Sequence, residues 1–159
     1  MMIMRWFIIY KKILVGVDDS QDAINAAKRA LEIQKLDGSE VVVFHSVIHH
    51  LSEINPTFTL PSSAMNAVSF VIHESYVEEG RDILKKVENI FKEANQTVET
   101  RLIFDIMPED YIKKTVEKEK FDLVILGCIG DHSKLKRTFL GTIPDKVINE
   151  APCDVLIVR

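Results

Sequence analysis

Short apolar runs alternating with helix-like periodicities organise the chain. Ile13-Leu14-Val15-Gly16-Val17 carries no polar side chain and stops at Asp18-Asp19-Ser20, the pattern of a strand covered on both faces. Ser20 offers a capping hydroxyl. From Gln21 to Leu36 the apolar positions Ile24, Ala27 and Leu31 recur at helical spacing, and Gly38 lies just past the end. The alternation continues with a strand at Val41–Val47, a long helix ending near Ala94, a strand at Val98–Phe104 and a helix opened by Pro108-Glu109-Asp110. Leu123–Leu126 and Val155–Val158 supply strands four and five, with the final helix between them.

Strands that alternate with helices and are apolar on both faces predict an α/β protein. The expected form is a doubly wound five-stranded parallel sheet of order 3-2-1-4-5 with helices on both faces. Ligands of such sheets bind beyond the carboxyl ends of the strands, where the connections switch direction, so the loops after strands one and four matter most. His49–Ser63 holds Pro56 and Pro61 but little periodicity and reads as a surface excursion. Residues 1–159 are therefore expected to form one domain, with an apolar extension over residues 1–11. Arg5 interrupts that extension and Lys11-Lys12 end it, so it is too short to span a bilayer, and it lacks the charge-first order of a signal peptide.

Composition narrows the setting. With 159 residues, 47% hydrophobic and 28% charged, the chain is sized for one globular core. Twenty Lys+Arg against 24 Asp+Glu give a net charge of −4, which offers no global attraction to nucleic acid or to an anionic membrane. Cys128 and Cys153 are too few for a disulfide framework and fall at opposite ends of parallel strands, so free thiols and a cytoplasmic location are expected.

The sharpest chemical feature is GCIGDHSKLKRTFLGT, Gly127 to Thr142, which joins strand four to the final helix. Glycines at 127, 130 and 141 let backbone N–H groups approach an anion closely. Thr142 places a hydroxyl where a helix start presents unpaired donors and its positive dipole end. The segment fits a phosphate cradle, and it fits equally a set of turn glycines with a helix cap; the residues alone leave both open. Neither G-x-x-x-x-G-K-[ST] nor G-x-G-x-x-G is present, which excludes P-loop and dinucleotide-fold enzymes.

In combination, KILVGVDDS, VVVFHSV, PEDYIKKTVEKEKFDLVILG and GCIGDHSKLKRTFLGTIPDKVINEAPCDVLIVR resemble the nucleotide-binding branch of the universal stress protein family, from Lys12 to Arg159. The resemblance implies ATP on the carboxyl edge of the sheet, with Mg²⁺ offsetting the triphosphate charge. It implies that Asp18 lies near the adenosine, that Val17 lines the same side, and that Gly127, Gly130, Gly141 and Thr142 contact phosphates. Asp18 suits a sugar because an ionised carboxylate accepts hydroxyl donors, and at a helix start it also suits the dipole. The chain departs from the family pattern at three points. Ten residues, Asp131 to Leu140, separate two loop glycines where the family has nine. Ser46 stands where an apolar residue is common, although its backbone can still pair with the adenine edge. Ile106 stands where a glycine usually precedes Pro108.

Weaker constellations carry less. Asp18, Asp19 and Asp105 are reminiscent of the acidic pocket of receiver domains, but the interval from Asp19 to Asp105 is far too long. Adjacent His49 and His50 point to opposite sides of an extended segment, and His73-Glu74 lacks a second histidine, since Val77 stands in its place. No G-x-S-x-G occurs, and Asp131-His132-Ser133 is contiguous whereas triad members converge from separate segments. Glu78, Glu79, Arg81, Asp82, Lys85 and Lys86 mix both signs and read as a solvated helix face. No catalytic residue and no metal ligand is expected.

The function expected is therefore an ATP-binding regulatory protein of the stress-response type, a nucleotide-dependent switch or interaction module rather than an enzyme. Alternatives are a dimeric module that has lost nucleotide binding, and a slow ATP-hydrolysing switch in which Asp131 or His132 positions water. Homodimerisation is expected through the final strand, Asp154 to Arg159, as an apolar sheet edge with unpaired backbone groups, and the family resemblance points the same way.

Overall fold

In the computed structural model, which describes residues 9–48, 62–129 and 142–159, the apolar runs pair as parallel strands. The elements are β1 (Lys12–Gly16), α1 (Gln21–Asp37), β2 (Glu40–Val47), α2 (Ser62–Glu93), β3 (Glu99–Phe104), α3 (Pro108–Glu119), β4 (Leu123–Gly127), α4 (Thr142–Glu150) and β5 (Asp154–Val158). The sheet order is β3-β2-β1-β4-β5, as the alternation predicted.

Burial follows the pleat. In the central β1, Ile13 and Val15 face one layer with α1 and α2, while Leu14 faces the other with α3 and α4. On the first face the small residues Ala23, Ala26, Ala27 and Ala30 bring α1 close to the sheet, and α2 contributes Ile83, Leu84, Val87 and Phe91. On the second, Phe44, Ile112, Val116, Phe121 and Val147 fill the layer. The outermost strands β3 and β5 have no fully buried residue.

Local signals place the helices. Ser20 Oγ accepts from the Ala23 N–H at 3.1 Å, and Gly38 closes α1 in the left-handed region at φ 75°, a conformation that costs glycine least. Pro108 opens α3, and Lys120 ends it at φ 60°. Residues 1–8 lie outside the described residues. Tyr10 and Lys11 donate backbone N–H groups to Asp37 Oδ2 (3.2 Å) and Asp122 Oδ2 (2.8 Å), so the part of the chain pinned to the sheet already includes them. Cys128 and Cys153 are free thiols, and burial, with help from Asp154, pushes the Cys153 thiol up to about 11. Among the described residues no helix is long and apolar enough to cross a membrane.

Candidate functional site

The chain leaves β1 toward one face of the sheet and β4 toward the other, so their carboxyl ends part. A cleft of about 550 Å³ lies there. Gly16, Val17, Phe44 and Leu126 contribute apolar surface, α4 contributes Ile143 and Pro144, and Met107 and Pro108 come from the β3–α3 turn.

Val17 is fixed from both sides. Its N–H donates to the Phe44 carbonyl at 3.0 Å, and its carbonyl accepts from His45 Nδ1 at 2.8 Å. A carbonyl can only accept, so Nδ1 carries the proton. Asp18 follows, and its Oδ1 accepts from the Ser20 N–H at 3.0 Å, a local turn that orients the carboxylate before α1 begins. Asp19 Oδ1 instead lies 2.7 Å from Lys86 Nζ of α2, and that hydrogen bond is the main reason the Lys86 ammonium titrates above its ordinary value.

Ser46 and the β3–α3 turn are stapled together. Ser46 Oγ donates to the Ile106 carbonyl, and the Asp105 N–H donates to the Val47 carbonyl at 3.0 Å. Asp105 adopts φ 55°, so the left-handed residue of this turn is Asp105, and Ile106 does not need a glycine's freedom. The side chain of Ser46 thus shapes the turn, while its backbone lies at the end of β2.

Gly127 stands at the crossing of β4 with the start of α1. A Cβ there would lie 2.7 Å from both Ala23 N and the Asp22 carbonyl carbon, so the glycine is required by the approach of the helix. Asp22 Oδ2 accepts from the Ile129 N–H at 3.2 Å, which occupies a donor at the mouth of the following loop. Thr142 is the first residue of α4 and is exposed. Gly130 and Gly141 lie outside the described residues, as do His49, His50, Asp131, His132 and Ser133. The structure brings Val17, Asp18, Ser46 and Gly127 to one cleft, with Thr142 beginning the helix that borders it.

The charges on α2 lie on an exposed face, as expected, and two of them also make contacts toward the cleft. Glu78 and Arg81 pair with each other at 3.0 Å on the exposed side, but Glu79 lines the cleft beside Tyr76 and Ile83, and Lys86 reaches Asp19. The cause is Gly80, where a Cβ would lie 2.7 Å from Leu102 Cδ1 and 2.9 Å from His45 Cδ2; its absence lets α2 sit low on the sheet. A glycine inside a helix costs about 1 kcal/mol against alanine, so Gly80 was itself the signal of a close approach. Among the described residues no group of three or more His, Cys, Asp or Glu side chains is placed to hold a metal ion, so Asp18, Asp19 and Asp105 do not form a receiver-type pocket.

An apolar cleft at the switch point, with a carboxylate at one end and a helix start at the other, lies where doubly wound α/β proteins as a class take their ligands. Residues 9–159 match the model of the universal stress protein family. A universal stress protein of Methanocaldococcus jannaschii is 32% identical over 151 residues, covering 95% of this chain and 83% of the relative. The chain belongs to the universal stress protein family. Among solved structures, the universal stress protein UspA from Lactobacillus plantarum superposes with a TM-score of 0.75 at 23% identity, covering 94% of this chain and 98% of that one. A universal stress protein from Archaeoglobus fulgidus in complex with dAMP gives 0.66 at 20% identity, covering 95% and 99%. Family structures holding cAMP and AMP share the fold at TM-scores of 0.65 and 0.61, with 22% and 16% identity.

Proposed function

We propose that this chain is an adenine-nucleotide-binding regulatory protein, with ATP as the favoured ligand and Mg²⁺ offsetting the triphosphate charge. The observation that carries the reading is the convergence of Val17, Asp18, Ser46 and Gly127 on one cleft at the switch point, bordered by the start of α4. Support comes from relatives of the same fold that hold dAMP, cAMP and AMP. In this reading the base lies against Val17 and the backbone at Ser46, and Asp18 accepts from sugar hydroxyls. The phosphates run toward Gly127, Gly130, Gly141 and Thr142, where helix N–H groups and the dipole favour negative charge.

The role is regulatory rather than catalytic. The His45 Nδ1 proton goes to the Val17 carbonyl and Asp18 Oδ1 accepts from the Ser20 N–H, contacts that shape the turn after β1. One domain, free thiols and a cytoplasmic location belong to the same reading. So does a homodimer through β5, which pairs only with β4 among the described strands and presents half-buried Val155 to Val158.

Isothermal titration with Mg-ATP tests the proposal. Saturable binding is expected, and Gly130→Val should abolish it while the fold survives; no saturable binding by the wild-type protein would overturn it. A dimeric module without nucleotide is the second reading, favoured by one observation: Asp22 already occupies the Ile129 N–H at the entrance to the glycine loop. Protein purified without added ligand and then denatured should release an adenine nucleotide under the first reading and none under the second.

A further inference from the structure

The end wall of the cleft beside β2 is a helix. α2 lies close against the sheet at Gly80, where a Cβ would lie 2.9 Å from His45 Cδ2 and 3.2 Å from Val47 Cγ2, at the carboxyl end of β2. Tyr76, Glu79 and Ile83 follow one another at helical spacing and line the cleft from this wall. The Lys86 to Asp19 ion pair, 2.7 Å long, ties the same helix to the turn after β1.

This arrangement orders a ligand along the sheet edge. Neighbouring strands lie about 4.8 Å apart, so a nucleotide with its phosphates at β4 and α4 passes β1 with its sugar and reaches β2 with its base. Asp18 lines the cleft just after β1, where the sugar would pass, and Glu79 lines it next to Gly80, where α2 approaches His45 and Val47 and the base would lie. At that end Val17, Val47, Ile48 and Ile83 are apolar, the Ser46 hydroxyl proton is given to the Ile106 carbonyl and the His45 Nδ1 proton to the Val17 carbonyl, and on α2 the carboxylate of Glu79 stands beside Tyr76. An ionised carboxylate accepts hydrogen bonds and donates none. We infer that Glu79 is a specificity-determining residue of the cleft, selecting bases that present an amino group toward α2, as adenine does through its exocyclic nitrogen. The inference rests on the adenine-nucleotide reading and adds to it the residue that recognises the base.

The test compares ATP, purine riboside 5′-triphosphate, which lacks the amino group, and inorganic tripolyphosphate by isothermal titration against the full chain. Wild-type protein is expected to prefer ATP to the purine analogue by about five- to tenfold, the worth of one hydrogen bond to a charged acceptor at a partly exposed position. Glu79→Ala should erase that preference and leave tripolyphosphate binding unchanged. Glu79 is exposed, so the variant is expected to keep the wild-type urea midpoint. Glu78→Ala, which removes only the exposed pair with Arg81, should behave as wild type. Retention of the preference in Glu79→Ala, or an equal loss of all three ligands, overturns the assignment of Glu79. If wild-type protein binds ATP and the analogue equally, base selection by an amino group is refuted while nucleotide binding stands. If it binds neither, the nucleotide reading itself falls.

Discussion

Replacing Gly127 by alanine separates what the fold needs from what a ligand needs. The added Cβ would stand 2.7 Å from two backbone atoms of the first turn of α1, whereas ordinary van der Waals contact begins near 3.4 Å. The helix start must therefore retreat by roughly 0.7 Å, against a backbone that cannot rotate away as a side chain can. Overpacking of this kind costs about 1–3 kcal/mol. The retreat also stretches the Asp22 to Ile129 hydrogen bond, already 3.2 Å long, for about 1 kcal/mol more. Gly127 is not among the residues with positive φ, so alanine restricts the unfolded chain at no conformational penalty and returns about 0.4–1 kcal/mol. The net expectation is a loss of about 1–3 kcal/mol, a fall in Tm of roughly 2–12 °C for a chain of this size. Equilibrium urea unfolding without nucleotide measures it. A wild-type midpoint combined with lost ATP affinity would refute the reasoning, because the position would then be reserved for the ligand and not for the helix.

Three further outcomes are expected. Ser39 is 3% exposed and its hydroxyl has no hydrogen-bond partner among the described residues, so Ser39→Ala should leave the urea midpoint unchanged or slightly raised; Gln34→Ala, which removes donors to the Ser39 and Thr97 carbonyls, should cost about 2 kcal/mol. Arg101 hydrogen bonds hold the Glu119 carboxyl below its ordinary value, so its contribution is complete above the unfolded-chain value near about 4.3 and is lost as pH falls through the folded one. Glu119→Gln should therefore cost about 1 kcal/mol at neutral pH, and its deficit against wild type should close on acidification, as urea midpoints from pH 7 to 3 would show. At the sheet edge, the Val158 carbonyl accepts from Cys128 and so points toward β4, which turns the backbone groups of Ile157 outward. Ile157→Pro should then yield a monomer by sedimentation with little loss of monomer stability, and an unchanged dimer would move the interface elsewhere.

The order of the sheet was legible because the central strands β1, β2 and β4 carry consecutive apolar residues buried on both faces, which marks the middle of a covered parallel sheet, while β3 and β5 are more polar and only half-buried, as edges are. Helix starts were legible through Ser20 and Pro108, whose chemistry is local. The position of the cleft was legible at β1 and β4, where it follows directly from strand ends. Its third wall was not. Glu79 and Lys86 sit among other charges on a helix, and nothing in their immediate neighbours distinguishes a residue that faces a cleft from one that faces water. The distinction comes from the depth at which α2 packs, a long-range property that Gly80 sets against Leu102 and His45. Gly127 was legible as a constrained position, but its constraint is the backbone of α1, which only the assembled fold reveals.

The length of α2 has a mechanical consequence. Its 32 residues span about 48 Å at 1.5 Å each, while the eight residues of β2 span about 26 Å. Gly80 meets the last residues of β2, and the turn before it is still packed, with Val77 buried and the His73 ring 6.3 Å from that of Phe104, while Ile83 to Phe91 belong to the core. One helix thus joins the core to the wall of the cleft, and amide protection is expected to be highest along its core turns. A molecule seated beside Glu79 would load the turn next to them. Slowed hydrogen exchange at that turn is then a gauge of occupancy.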